Sequence, residues 1–332
     1  MNSEATQSNN ETISYVAITP STFSKVAFSV TASIALVGNL CVVYMFACCR
    51  KLLENPHNRC ILNLALADIL TALSLFSNPK FVLDETFYRV SSQTHVTREL
   101  YCRLVWSHYL PFSLGITSLY TCVVLSLERW LAVRKSFFYK NRFTTWHMNV
   151  LIMGCWIAGF ASEVPVTFIT IGVYDNASMI CRWDMQNNLK SKVISIALFL
   201  AHSLVPFTLI FAAYVDVFRA IRASLRFVAT AGSQSLSNLQ RLKKVTQMTA
   251  ITSFILLLCW FPCQFYFLLS TLGYAPIPLR NNPDDVHNII LGVIAFSNSS
   301  LNPFIYVFSN PVFRKAFKEI FCGFSCFNRS IQ

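Results

Sequence analysis

Charge is what this chain lacks. Its 332 residues include 15 Asp and Glu and 27 Lys and Arg, so charged side chains make up 13% of the sequence. An ordinary soluble domain carries about 25%, and the shortfall argues against a water-soluble globular protein. No His/Glu metal spacing and no Ser/His/Asp set is visible, so an enzyme is not expected. There is no internal repeat, and no pair of broken helices in matching halves, which argues against a transporter or channel. The first residues, MNSEATQSNNETISYVAITPS, hold no apolar run, so no cleavable signal peptide is expected. The net charge of +12 is no nucleic-acid footprint, because its distribution follows topology instead.

Apolar residues are plentiful. They make up 54% of the chain, with 29 Phe. They gather in seven stretches long enough to span a bilayer, at about 24–48, 58–82, 102–131, 147–172, 190–218, 243–272 and 286–308. Runs of this length exclude barrel strands and leave helices, the spanning elements that satisfy their own backbone. The fold class is therefore all-α membrane, a seven-transmembrane helix bundle. A polar tail covers 1–23, the bundle 24–308, and a short tail 309–332. The third stretch, from Cys102 to Arg134, reads as one rod joining two compartments.

Lys and Arg set the orientation. With the N-terminus outside, 18 of the 27 fall on inner flanks and loops, in accord with the positive-inside rule. Of the twelve cysteines, only Cys102 and Cys181 then face outward, so they are expected to pair and fold the loop after the fourth span over the bundle mouth. Asn10 and Asn176 open Asn-x-Ser/Thr acceptors on the outer side. After Ser309-Asn310-Pro311, Phe313 and Phe317 share one face of an amphipathic helix, with Arg314, Lys315 and Lys318 near the other. This helix is expected to lie on membrane lipid. Cys322 and Cys326 beside it read either as palmitoylation sites or as free thiols.

Polar groups within spans default to functional hypotheses. Asp68 is the one acid deep in the second span, and Asn39, Ser118, Asn298, Ser299 and Asn302 lie at depths that can meet it. The cluster reads either as a sodium site or as a neutral hydrogen-bond network around a protonated acid. Pro165, Pro206, Pro262 and Pro303 mark kinks. Trp260 lies beside one of these prolines and Tyr306 beside another.

These residues resemble the rhodopsin-like (class A) G protein-coupled receptors, over roughly residues 24–325. The resemblance is carried by Gly38-Asn39, Leu64-Ala65-Leu66-Ala67-Asp68, Glu128-Arg129-Trp130, Trp156, Pro206 with Tyr214, Cys259-Trp260-Phe261-Pro262 and Asn302-Pro303-Phe304-Ile305-Tyr306. It implies ligand-dependent nucleotide exchange on a heterotrimeric G protein, with arrestin as a further partner. It also implies that Trp260 sits on the pocket floor, that the sixth helix swings about Pro262, and that Arg129 leaves Glu128 to meet the G protein while Tyr214 and Tyr306 move in. It favours an allosteric sodium at Asp68.

This sequence departs from the family pattern in several places. Trp130 stands where the family usually has Tyr. The approach to the sixth span offers no acid to Arg129, so the restraint is expected to rest on Glu128 and weaker contacts, with measurable basal activity. Leu256 replaces a customary Phe. Cys102 lies two residues farther from Arg129 than usual with Pro111 between, so a kink or bulge is expected there.

Pro111 takes the level at which amine receptors carry their aspartate, and Phe296 the level at which opsins carry the retinal lysine. Both ligand classes are disfavoured. Pocket walls are expected from Asn78, His108, Pro111, Phe112, Glu163, His202, Trp260, Gln264, Phe265 and Phe296. The mixed charges at the mouth suit a neuropeptide, with a small molecule or lipid as the alternative.

Overall fold

The computed structural model describes residues 21–78, 81–83, 94–167, 173–175, 180–182, 188–228, 233–275, 286–309, 313–315 and 317–318. Seven helices among them are long and apolar enough to cross a membrane. The first to seventh spans are Thr22–Cys48, Pro56–Ser77, Tyr109–Arg134, Thr145–Pro165, Leu189–Arg226, Leu239–Leu272 and Val286–Ser309. Val37, Leu73, Phe207, Phe211 and Leu258 point outward, the reverse of a soluble protein and the arrangement lipid requires.

Local chemistry fixes where several helices start. Ser21 accepts from the Ser24 amide at 3.2 Å. Asn55 accepts from the His57 amide at 3.0 Å, with Pro56 opening the second span. Asn188 accepts from the Ser191 amide at 2.8 Å. Each cap satisfies an amide that the helix cannot satisfy itself. The third span packs against the second, fourth, fifth and sixth, and so forms the bundle axis.

The rod expected over 102–134 is broken. A short helix, His95–Tyr101, leads into a π-helical turn at Cys102–Trp106. His108 then takes a left-handed conformation with φ of 66° before Tyr109 opens the span proper. The cause is Pro111. In an unbroken helix its ring would strike the Ser107 carbonyl four residues back, whereas a proline in the first helical turn is tolerated. The wide turn and the left-handed joint take up the extra residues between Cys102 and Arg129, which is the bulge the spacing called for. A second π turn, Leu200–Leu204, interrupts the fifth span just before Pro206.

The Cys102–Cys181 disulfide is present, and Trp106 is buried with it. Cys181 lies on one of two short antiparallel strands, Val173–Asp175 and Ile180–Arg182. These strands are the one departure from an all-helical chain among the described residues. The sixth helix starts earlier than hydropathy suggests, at Ser233, because its first turns are polar and project beyond the apolar run. After the seventh span, Phe313 is buried against Phe46 and Tyr306, with ring centroids at 5.6 and 6.0 Å, while Arg314, Lys315 and Lys318 are exposed. Asn10, Asn176, Cys322 and Cys326 lie outside the described residues.

Candidate functional site

The outer half of the bundle rests on an aromatic floor. Trp260 is buried, and Phe112 and Phe296 meet it edge-on at 5.5 and 5.8 Å. The indole fits because the third span has a glycine opposite it. A β-carbon on Gly115 would stand 1.9 Å from the ring. Phe81, from the turn after the second span, extends the floor by stacking on His108 at 4.5 Å and meeting Phe296 at 5.9 Å. Neither Gly115 nor Phe81 was singled out from the sequence. Both sit in apolar runs with no marker of a special contact.

The other expected pocket residues divide. Pro111, Gln264, Glu163 and His202 are buried in the bundle. Asn78 donates from Nδ2 to the Val105 carbonyl at 2.9 Å and so braces the π turn. Phe265 does not face the floor. It is 42% exposed and stacks on Phe261, with Phe199 beside it. The helical phase explains this correction: Trp260 and Gln264, four residues apart, share the inner face and place Phe261 and Phe265 on the outer one.

At mid-depth Asp68 is fully buried. The Ser299 hydroxyl lies 2.7 Å from Oδ1 and Asn302 Nδ2 donates to Oδ2 at 2.8 Å. Ser299 Oγ also lies 2.9 Å from Asn298 Oδ1, so its one proton serves one oxygen at a time. Asn39 donates to the Ser299 carbonyl at 2.9 Å. Asn39 Oδ1, Asn302 Oδ1 and Ser118 Oγ, on the first, seventh and third spans, are each buried without a hydrogen-bond partner. A carboxylate among orphaned neutral oxygens is a donor set suited to a hard monovalent cation. Trp156, on the fourth span, donates to Asn63 at 2.8 Å, and Asn63 to Thr121 at 3.0 Å, which ties the fourth, second and third spans together.

At the inner end Glu128 grips Arg129. Arg129 Nε donates to Oε2 at 2.6 Å and its terminal nitrogen to Oε1, a bidentate pair of the strong kind. Two further groups hold the same carboxylate. His57 Nδ1 is 3.1 Å from Oε2, and the Tyr139 hydroxyl donates to Oε1. Burial, and then the nearby Glu128 charge, push the Tyr139 phenol up, so it stays protonated and donates. Beside this cluster, Asp216 on the fifth span accepts from Trp130 Nε1 at 2.8 Å and from Arg134 Nε at 2.7 Å. Thus Trp130 in place of the usual Tyr keeps a polar tie through its indole. His57, Tyr139 and Asp216 were missed in the sequence. At helix ends and in an inner loop, nothing in the sequence sets them apart from solvated polar residues. Tyr214 and Tyr306 are buried, and the Tyr306 hydroxyl has no hydrogen-bond partner.

An arginine sequestered at the inner end, a buried tryptophan floor above, and a disulfide-held lid define a seven-transmembrane receptor. The profile of the 7 transmembrane receptor (rhodopsin family) matches residues 38–306, and the chain belongs to that family. It is 25% identical to melanopsin of Mus musculus over 295 residues, 86% of this chain and 53% of that protein. It is 26% identical to galanin receptor 2a of Danio rerio over 303 residues, 90% and 77% of the two chains. Human melanopsin is 25% identical over 297 residues, 86% of this chain and 58% of that protein. The chain thus spans a little over half the length of these melanopsins.

Proposed function

We propose that the chain is a plasma-membrane receptor, with its N-terminus outside, that answers an extracellular peptide by promoting nucleotide exchange on a heterotrimeric G protein. The observation that carries this reading is the sequestered Arg129. Its guanidinium is buried and held bidentately by Glu128, at the end of the bundle opposite the disulfide lid. A buried charge pair that can be broken is a two-state element. Release of Arg129 from Glu128 frees a cation for a G protein, or for arrestin, at the same face. Trp260, wedged against Gly115, connects the floor to the Pro262 bend. Ligand pressure on the indole is thereby turned into sixth-span movement. Asp68, Asn39, Ser118, Asn298 and Ser299, with Asn302 beside them, would hold a sodium ion, which supplies a positive charge that fixes the carboxylate in the resting arrangement.

Peptide is favoured over retinal. Phe296 occupies the floor, and the seventh span, Val286–Ser309, contains no lysine to form a Schiff base. One relative is a galanin receptor, a peptide receptor, and the mouth carries charges of both signs. The test is guanine-nucleotide exchange in membranes bearing the receptor, screened against a peptide library with a promiscuous G protein. Peptide-dependent exchange that Arg129→Ala abolishes is expected. Ion flux independent of any G protein would overturn the reading.

A further inference from the structure

Three carboxylates are buried among the described residues: Asp68, Glu128 and Glu163. Two are well provided for. Asp68 has hydrogen bonds from Ser299 and Asn302, and Glu128 has Arg129, His57 and Tyr139. Glu163 makes no hydrogen bond among the described residues: its ion-pair partner, His202 Nδ1, stands at 3.6 Å, beyond direct hydrogen-bond distance, and the Tyr109 and Tyr120 phenols and the Cys263 thiol lie near its charge without bonding to it. The other ring nitrogen, His202 Nε2, is buried with no partner. The whole pair is therefore under-satisfied. Leaving an acid in this condition costs several kcal/mol, which simple packing does not explain.

The placement of both groups is built into their helices. The buried residues of the fourth span are Met148, Cys155, Gly159 and Glu163, spaced by seven, four and four. They form one inward stripe, and Glu163 is its outermost member. Gly159, one turn below, allows very close contact: a β-carbon there would meet Thr117 Oγ1 at 2.2 Å and the Ser113 carbonyl at 3.0 Å. This seats the fourth span tightly on the third and holds Glu163 inside the bundle. His202 faces the acid from the π turn Leu200–Leu204, whose wide geometry buries both His202 and the adjacent Ser203. Tyr120 lies against the imidazole at 6.2 Å.

The geometry points to Glu163, backed by His202, as the anchor for a cationic group of the ligand, an ammonium or guanidinium seated between the fourth and fifth spans. This rests on the reading of the outer half as a ligand site. A cation with several N–H donors supplies both the charge and the hydrogen bonds that the carboxylate lacks. It also replaces the third-span acid that Pro111 denies. The cation could belong to a peptide (an N-terminus, Lys or Arg) or to a free amine.

The test uses the full chain purified in detergent and lipid, with its melting temperature read against matched probes. Phenethylammonium and phenethylguanidinium are compared with neutral phenethyl alcohol. Short peptides carrying a free N-terminus are compared with their N-acetylated forms. The cationic member of at least one pair is expected to raise the melting temperature at concentrations about 10- to 100-fold below its neutral partner, the range set by hydrogen bonds to a charged group. The pair that responds distinguishes a free amine from a peptide. Glu163→Gln should abolish this preference without lowering the unliganded melting temperature, and Glu163→Asp should retain part of it. The proposal is overturned if no probe pair discriminates, if Glu163→Gln keeps the discrimination, or if Glu163→Gln only destabilises. Nucleotide exchange measured on the same preparations reports the receptor reading separately, since cation binding is read from melting without any G protein.

Discussion

Replacing Tyr139 by phenylalanine removes one proton donor from Glu128 and leaves the ring in place. A hydrogen bond to a charged group contributes about 1.5–3 kcal/mol, and here it favours the state in which Arg129 is held. Tyr139→Phe, and likewise His57→Ala, should therefore raise ligand-free nucleotide exchange, measured in membranes against an Arg129→Ala background. Unchanged exchange in both variants would show that Arg129 and Glu128 hold without help. Gly115→Ala sets a methyl group where the Trp260 indole lies. Overpacking of that kind destabilises by about 1–3 kcal/mol, and a drop in melting temperature should appear together with altered ligand response. At this scale the sequence was legible where a residue type is itself unusual: Asp68, Glu163 and His202 stand out in apolar runs. It was not legible where the residue is ordinary and its neighbour decides. Gly115 matters because of a tryptophan far along the chain, and Asp216 because Trp130 and Arg134 come to it.

Among the elements, the broken third helix is the informative case. Its apolar run gave a span, and Pro111 gave a reason for a break, but no local signal pointed to His108 as the joint. The choice depends on Phe81 stacking on the imidazole and Asn78 bracing the π turn, and neither can be seen before the chain folds. The left-handed conformation is tolerated by Asn and resisted by β-branched residues. His108→Asn and His108→Val both lose the stack, so the difference between them isolates the backbone. His108→Val should melt lower by about 1–2 kcal/mol, and equal melting would show that the backbone there carries no strain. The seven spans, by contrast, were all readable as spans, although the start of the third and the ends of the fourth and fifth missed by about two helical turns. Hydrophobicity adds over some twenty residues, so single exceptions do not obscure it.

For the whole molecule, the third span links the disulfide-bearing outer segment to the Arg129 end. The disulfide closes a loop with a sequence separation of 79 residues. Removing both sulfurs by Cys102→Ser with Cys181→Ser should lower stability by about 2–4 kcal/mol, read as a fall in melting temperature. Sodium offers a second global test. If the cluster around Asp68 takes the ion, sodium chloride should raise the melting temperature relative to the same concentration of N-methylglucamine chloride, and Asp68→Asn should remove the difference. An equal response in wild type and variant would assign Asp68 to a purely internal hydrogen-bond network.

The left-handed joint at His108 also has a mechanical meaning. A continuous helix is stiff, and a push on its outer end would tilt the whole rod. Here the disulfide-bearing segment, His95–Trp106, meets the rod at a left-handed joint, while Asn78 and Thr167 hold it to the second span and to the end of the fourth. A push on that segment is borne by the joint and these ties, and the rod stays seated among its four neighbours. On the proposed reading, force reaches the interior through whatever presses on the floor, so the cap serves as a braced cover and the signal belongs to the occupant beneath it.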